Sequence, residues 1–435
     1  MIQRCALIFT LAIAWSLMFA PSLATAEDYQ HALKRLVETH KRVKSAQADL
    51  EAAEAAASKA RSGWYPDVTA TSSAGHQRIY KNNSDPSTRL PTRELTVGLR
   101  QNIWDFGTTR TTVDKADTGV KQAEAALSQA IQDLTLEALT SYVNLERARR
   151  TEEFAQQSVT NITKQTGMEE SRVTMGGGFS SDVLQSKSQL AGAQARLVRA
   201  HGQWVSANNR FRALFNRGPD ADDARQHITE PNDLLPETLD DAIEEGRKSN
   251  RQLEVLRLSS EAARLEIERV RSTELYPKVA AVAQRKWERN PDGLEADRTQ
   301  HIFKVEMTYQ LNAGLGGMHA VEAARQAYLS LDGKFADLRD LVEEQVRNAW
   351  QNLETARENA GYLQNQVQIA GEFLRLAREE RLHGRRSLID VLSGETSLIN
   401  AQSDAASAEA DVTLAAFALL RASGLLDPKM LKDDN

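Results

Sequence analysis

The sequence predicts a mainly α-helical protein of the α+β class, in which long helices accompany two β-hairpins. Only 10 of the 435 residues are proline and 6% are aromatic, whereas 26% are charged, a composition typical of long helices. Two long stretches keep a helical pattern without proline, and segments that alternate apolar and polar residues precede each of them. The net charge of -6 comes without a cluster of basic residues, so nothing indicates a nucleic-acid partner.

Residues 1–26 are predicted to be a secretory signal peptide. Arg4 precedes an apolar run from Ala6 to Ala20, and Ala24-Thr25-Ala26 fits the small-residue pattern of a cleavage site. The single cysteine, Cys5, lies at the start of this run, so it is not positioned to become a lipidated N-terminus. The remainder of the sequence contains no apolar run of about 18 residues, so any membrane insertion has to use strands.

The mature chain is predicted to contain two structural repeats, residues 27–218 and 238–424, joined by a proline-containing linker over 219–237. A polar tail is expected over 425–435. Related segments recur in the two halves at a nearly constant offset: Tyr65-Pro66 and Tyr276-Pro277, and Ser181-Asp182-Val183-Leu184 and Ile389-Asp390-Val391-Leu392. Each repeat should therefore fold into the same series of elements.

Each repeat is expected to begin with a helix and a β-hairpin. The opening helices are predicted over residues 28–63 and 238–274, because a proline follows each of them closely. The hairpins are predicted over 67–104 and 278–312. Turn-forming residues supply their loops, namely Lys81–Pro86 in the first repeat and Asn290–Gly293 in the second.

The second part of each repeat is predicted to be a long helix followed by a shorter one. The long helices are expected over residues 108–174 and 318–382, each about 100 Å in length. A glycine turn at Gly176–Gly178 or at His383-Gly384 then leads into the closing helix. The opening and closing helices together match one long helix, which indicates that they stack along it with the linker at mid-height.

The second strand of each hairpin alternates between an apolar and a polar face, as a transmembrane β-barrel strand does. The apolar positions are Leu95, Val97, Leu99 and Ile103 in one repeat and Phe303, Val305, Met307, Tyr309 and Leu311 in the other. The polar positions between them include Glu94, Thr96, Arg100 and Asn102, then Lys304, Glu306, Thr308 and Gln310. The alternative is a pair of hairpins packed on a small soluble core.

Barrel closure favours the membrane interpretation and predicts an oligomer. Four strands would leave unpaired edges in lipid, and membrane barrels need about eight strands or more. Three copies would supply 12 strands to one shared barrel, so a homotrimer is predicted. Its aqueous lumen would be lined by Glu94, Arg100, Lys304 and Glu306.

The sequence resembles the TolC family of outer-membrane efflux and secretion channels over essentially all of the mature chain. No single motif is specific, but the order and spacing of several segments agree with the family. These are the two repeats, the entries Tyr65-Pro66 and Tyr276-Pro277, the exit Trp104-Asp105-Phe106-Gly107, and the segment from Gly384 to Leu392.

The resemblance implies a passive channel in the outer-membrane lipid rather than an enzyme. Its helices would form a periplasmic coiled-coil tunnel, closed at the inner end and continuous with the 12-stranded barrel of a homotrimer. The implied partners are a periplasmic adaptor, that is, a membrane fusion protein, and an inner-membrane transporter of the ABC or RND type. Type I protein secretion is the preferred function because no lipid-attachment cysteine is present. Drug or metal efflux is the alternative, and a periplasmic coiled-coil scaffold without channel activity is an alternative of another class.

The resemblance also assigns roles at the inner tip of the tunnel. Ser181 and Asp182 in the first turn and Arg386 in the second correspond to partners of a lock that keeps the tip shut, and Asp390 corresponds to a constriction ring. Arg381 stands where the family can have a tyrosine, and could still donate to a carboxylate. Ser393 replaces a second aspartate, so the ring should bind cations weakly. Capping of the following helix by Asp182 is the simpler alternative.

No catalytic, cofactor or metal site is predicted. The eight histidines do not fall at metal-ligand spacings, and the mature chain is predicted to lack thiols. Gly176–Gly178 lacks the Gly-Lys-Ser/Thr ending of a phosphate loop, and Gly314-Leu315-Gly316-Gly317 lacks the spacing of a dinucleotide turn. Both segments are interpreted as turns between elements.

Overall fold

The computed structural model describes residues 29–80, 88–310 and 313–427. The predicted signal peptide, the loop Lys81–Pro86, Leu311 and the end of the predicted tail lie outside them. The helices are α1 (Tyr29–Thr39), α2 (Lys41–Ser62), α3 (Thr108–Thr174), α4 (Ser180–Phe215), α5 (Leu239–Ser249), α6 (Arg251–Leu275), α7 (Gly316–Leu382) and α8 (Leu388–Ala422). The strands are β1 (Asp67–Ile79), β2 (Thr88–Trp104), β3 (Lys278–Arg289) and β4 (Asp297–Thr308).

Two uninterrupted helices, α3 and α7, organise the molecule. Each has 67 residues and is therefore about 100 Å long. Helices α2, α4, α6 and α8 pack against α3, and α5, α6 and α8 pack against α7, so the shorter helices lie along the long ones. Buried residues in the middle of α3, such as Leu134, Ala138 and Leu145, recur at helical spacing. Within the described ranges, no helix combines the length and apolarity needed to cross a membrane.

The opening helix of each repeat is interrupted, so the prediction of single helices over 28–63 and 238–274 is wrong. His40 separates α1 from α2, and Asn250 separates α5 from α6; both have extended backbone angles. The side chain of each accepts hydrogen bonds from the first amides of the next helix, which satisfies groups that a helix start leaves unpaired. The break therefore occurs at corresponding positions in both repeats.

The four strands form one antiparallel sheet in the order β1-β2-β3-β4. Strands β2 and β3, from different repeats, pair along most of their length, for example Arg93 with Arg289 and Gln101 with Ala281. A register shift between Asn102 and Trp104 ends this ladder near the helices. Strands β1 and β4 are the two edges, and each has one side without a partner strand in the described chain.

The segment between the repeats packs against the centre of the molecule. Ala224 and Ile228 join a buried cluster with Tyr142, which lies halfway along α3. Asp223 accepts hydrogen bonds from the Tyr142 hydroxyl, 3.1 Å away, and from the Arg217 guanidinium. Burial would raise the pKa of Asp223, but these bonds outweigh it and hold that pKa below its usual range. The segment is therefore part of the core.

The predicted polar tail cannot begin at residue 425. Leu426 is buried in the same cluster as Tyr142, and Leu425 packs against this cluster. The amides of both leucines donate to the carbonyl of Leu420, which ends α8 with a compact turn. These leucines therefore belong to the fold.

An ion cluster between α3 and α6 makes the stability of the helices depend on pH. Arg269 donates two hydrogen bonds to Glu266, and Lys115 donates a third. Together these bonds outweigh burial, which alone would raise the pKa of Glu266, and they lower this pKa from 4.5 to about 2. Because the folded pKa is the lower one, the ionised carboxylate stabilises the fold fully above about pH 4.5. This contribution, at most about 3 kcal/mol and reduced by solvent screening, is lost as the pH falls towards 2.

We expect Glu266→Gln to lower the free energy of unfolding at pH 7 and to have much less effect at pH 2.5. Circular dichroism of the purified protein in detergent, with denaturant titrations at both pH values, measures the difference. An equal difference at the two pH values would show that the carboxylate charge does not contribute.

Candidate functional sites: the charged sheet face and the helical tip

The four residues predicted to line a lumen lie on one face of the sheet. Residues directly opposite each other in an antiparallel pair share a face, and Arg100 is opposite Val282, which is opposite Lys304. Glu94 and Glu306 lie on the same face by the period of two along their strands. Glu306 is 3.6 Å from Arg100 and 3.3 Å from Lys304.

Three further charged residues that form ion pairs lie on this face, and the sequence reasoning missed them. Lys286 lies 3.2 Å from Glu94 and 2.8 Å from Glu288, and Arg298 lies 2.7 Å from Glu288. Their alternation in β3 and β4 is visible in the sequence, but the pairing register that brings them to Glu94 is not. Each glutamate of this face forms an ion pair with at least one basic side chain, so the face would present a nearly charge-balanced surface to water.

The opposite face is largely apolar, and no element among the described residues covers it. Phe303 is 82% exposed, and Val68, Val305 and Met307 are each 69% exposed. Leu95, Val97 and Leu99 extend the same surface across β2. A contiguous exposed apolar surface of this kind marks contact with another protein or with lipid.

Aromatic residues gather where the sheet meets the helices. The rings of Phe106 and Tyr276 stack at 5.0 Å, and Trp104 packs edge-on against Phe106. Trp64 and Tyr65, which precede β1, are also exposed. Asp105 accepts hydrogen bonds from the amides of Gly107 and Thr109, which fixes the start of α3 beneath this band.

The far ends of the long helices form two equivalent turns, here called the helical tip. Gly176 and Gly384 each have a positive φ, which glycine adopts without strain. The next amide in each turn, of Gly177 or Arg385, donates to a carbonyl five residues earlier, as in a Schellman motif. The tip therefore has the same construction in both repeats.

Two buried carboxylates connect the repeats near the tip. Glu169 of α3 accepts from Arg381 of α7 at 2.9 Å. One to two turns away, Glu395 of α8 accepts from Arg378 of α7 at 2.5 Å and from Asn161 of α3. Charged hydrogen bonds of this kind are strong, and a buried carboxylate that loses its partner is costly. These contacts hold the ends of α3, α7 and α8 together.

The structure brings only some of the predicted tip residues together. Arg386 binds Glu380 at 2.5 Å, and no hydrogen bond or ion pair joins Arg386 to Asp182 within the described chain. Arg381 does bind a carboxylate, but it is Glu169, which the sequence reasoning did not select. Ser181 is exposed and Asp182 is half-buried, while Asp390 is exposed. A lock between copies and the constriction ring at Asp390 stay predictions.

The capping alternative for Asp182 is wrong. The helix α4 begins after Phe179, and its start has no side-chain capping bond. In the second turn Ser387 does cap α8, by accepting from the amide of Asp390 at 3.3 Å. Across the described ranges, no group of three or more histidine, cysteine or acidic residues could hold a metal ion.

Comparison with known proteins identifies the family. The model of the family described as outer membrane efflux protein matches residues 32–217 and again 242–425. The chain belongs to the outer membrane efflux protein family. The resemblance to TolC channels is thereby confirmed, as are the outer-membrane location and the conclusion that the chain is not an enzyme. The family model matches each half separately.

Individual members of the outer membrane efflux protein family match along most of the chain. The chain is 22% identical to the outer membrane efflux protein BepC of Brucella suis biovar 1 (strain 1330), over 94% of this chain and 88% of BepC. It is also 22% identical to the outer membrane protein TolC of Escherichia coli (strain K12), over 96% of this chain and 86% of TolC. The crystal structure of VceC from Vibrio cholerae superposes with a TM-score of 0.77 at 18% identity, covering 91% and 96% of the two chains. The chain therefore has the same fold as VceC.

Proposed function

We propose that three copies of this chain form one passive exit duct through the outer membrane. Each copy would contribute its four strands to a shared 12-stranded barrel, and its helices to a coiled-coil tunnel that extends into the periplasm. The observation that carries the proposal is the sheet itself: its two edges have no partner strand among the described residues, one of its faces is charged and the other is apolar and exposed. In lipid, a sheet must close so that every backbone group is paired.

The two faces fit opposite sides of such a barrel. The charged face, with Arg100, Lys286 and Glu306, would line a water-filled lumen, where its ion pairs remain hydrated. The apolar face, with Phe303, Val305 and Met307, would contact lipid. A soluble scaffold would instead expose this surface to water.

The tip is the proposed entrance and the site of partner contact. A periplasmic adaptor and an inner-membrane transporter of the ABC or RND type would deliver cargo there, while the chain supplies no energy. Opening would require the ends of α3, α7 and α8 to separate, against the contacts of Glu169 and Glu395. An adaptor can drive this step only by binding the open tip more tightly than the closed tip.

Two classes of cargo fit the duct. Type I protein secretion is favoured by the position of the single cysteine, Cys5, at the start of the apolar run of the predicted signal peptide and not at its end. Drug or metal efflux is favoured by the similarity to the outer membrane efflux protein family and to BepC, which is itself named an efflux protein. Identification of the transporter that co-purifies with the chemically crosslinked chain distinguishes the two classes.

Cysteine crosslinking tests closure of the barrel. We expect Thr71→Cys in β1, combined in turn with Gln300→Cys, Ile302→Cys or Lys304→Cys in β4, to produce disulfide-linked trimers for at least one pair. Both positions in each pair lie on the charged face at opposite edges of one sheet, so a bond between them must join different copies. Non-reducing gel electrophoresis of outer membranes reveals the linked species.

Each single cysteine variant is the control and should remain unlinked. If every pair also remains unlinked while the protein is folded in the outer membrane, the shared barrel would be excluded in this form. Linked dimers without trimers would exclude the threefold ring.

A further inference from the structure

The apolar face of the sheet ends in a group of arginines on the side away from the helices. Five of them, here called the arginine patch, share this face: Arg78, Arg89, Arg93, Arg285 and Arg289. Arg78 is opposite Arg89, and Arg93 is opposite Arg289, so the pairing places like charges side by side. Directly opposed like charges destabilise a sheet unless something else neutralises them.

Most of the patch lacks a carboxylate partner within the described part of the chain. Arg289 lies 3.9 Å from Asp297, and both side chains are mostly exposed, so this pair contributes little. The Arg285 guanidinium lies over the ring of Trp287, and that of Arg78 over the ring of Tyr80. Both rings are farther from the helices than the arginine they contact, so these guanidinium groups point towards the loop end of the sheet.

The distance from the aromatic band to the far end of the arginine patch matches the thickness of the apolar layer of a membrane. Along β3, Val279 lies opposite Trp104 in the aromatic band, and Arg289 lies in the row of Arg93. Ten residues at about 3.3 Å each, in a strand tilted by about 40°, correspond to a height of about 25 Å. The apolar band of outer-membrane barrels is about 25 Å tall. Arg93 and Arg289 therefore lie where lipid headgroups would begin, whereas Arg285 lies four residues nearer the helices, in the row of Val97, and would have to extend towards them.

We propose that the arginine patch binds the phosphate groups of membrane lipids in the leaflet at the loop end of the barrel. This inference rests on the proposed function, because it requires the apolar face to contact lipid. Guanidinium groups bind phosphate through two parallel hydrogen bonds. Several exposed arginines that have no carboxylate partner among the described residues give the matching charge. Phosphates seated between Arg93 and Arg289 would neutralise the repulsion within the pair.

Native mass spectrometry of the full chain in detergent tests the proposal. The probes are lipid A with two phosphates, lipid A with one phosphate, and phosphatidylcholine. We expect retention of lipid A to increase with its phosphate number and phosphatidylcholine not to be retained. The variant Arg89→Gln/Arg93→Gln/Arg289→Gln should bind the doubly phosphorylated lipid about a hundredfold more weakly, since each of the three arginines contributes about fivefold near a lipid surface.

The matched control removes the same charge from the other face, as Arg100→Gln/Lys278→Gln/Lys304→Gln, and should retain the lipid to within about twofold. Equal binding by the patch variant and the wild type, or equal retention of all three lipids, would overturn the proposal. So would full displacement by an equal concentration of inorganic phosphate, which would indicate a site for soluble anions.

Trimer content and bilayer conductance are measured in parallel. A conducting wild-type trimer without phosphate-dependent retention overturns only this inference, whereas a wild type that neither assembles nor conducts overturns the proposed function.

Discussion

Replacement of Arg381 by serine should raise the single-channel conductance of the purified protein at least twofold in a planar lipid bilayer. Arg381 donates to Glu169, whose side chain is only 6% exposed, and this contact joins α7 to α3. Serine leaves the carboxylate buried without a cation, which costs about 3–5 kcal/mol in the closed tip. An open tip lets water reach Glu169, so the substitution shifts the population towards the open state.

The matched control is Arg386→Ser, which removes a neighbouring arginine of the same turn. Its partner Glu380 is 46% exposed and belongs to the end of α7, so this pair does not connect the two repeats. We expect a smaller increase in conductance from this variant. An unchanged conductance in Arg381→Ser would show that the Glu169 contact does not hold the tip closed. A larger increase in Arg386→Ser would favour the predicted lock between copies.

Replacement of Gly424 by alanine should destabilise the protein by about 2–5 kcal/mol, because it combines backbone strain with a collision. Gly424 has a φ of +75°, and an added Cβ would lie 2.3 Å from the carbonyl oxygen of Ser249 and 2.7 Å from the amide nitrogen of Asn250. Neither backbone atom can move freely, since the Asn250 side chain also donates to the carbonyl of Ala422. Chemical denaturation followed by circular dichroism measures the loss.

Gly384→Ala separates strain from collision. Gly384 has a φ of +72°, but an added Cβ would meet nothing within 4 Å. Alanine there should cost only about 1–2 kcal/mol, the penalty for the left-handed conformation alone. Equal losses in the two variants would show that the contact of Gly424 with Ser249 and Asn250 is not rigid.

The sequence predicts the long helices and the hairpins well because their signals are local. Periodicity and the absence of proline define α3 from Thr108 to Thr174, and alternation defines β2 up to Trp104. The breaks at His40 and Asn250 were missed because neither residue is glycine or proline. Asn250 has a detectable signal, since asparagine is a preferred helix cap, but histidine is not.

The tip contacts could not be predicted because they depend on packing between distant segments. Glu169 and Arg381 are 212 residues apart, and both lie in helices whose surfaces are rich in charge. In such a pattern, a carboxylate that will be buried looks the same as its solvated neighbours. The same limitation hid Asp223, which the proline-containing segment carries into the core beside Tyr142.

The two sheet edges that lack a partner strand in the described part of the chain affect how the protein would assemble. If the ring closes as proposed, a lone copy and a pair each retain two open seams, and only the third copy removes both. Insertion would then be all-or-none and steeply dependent on the supply of newly exported subunits. Incomplete rings would leave backbone N–H and C=O groups unpaired in the hydrocarbon layer, so they would not insert stably. Only complete trimers would then accumulate in the membrane.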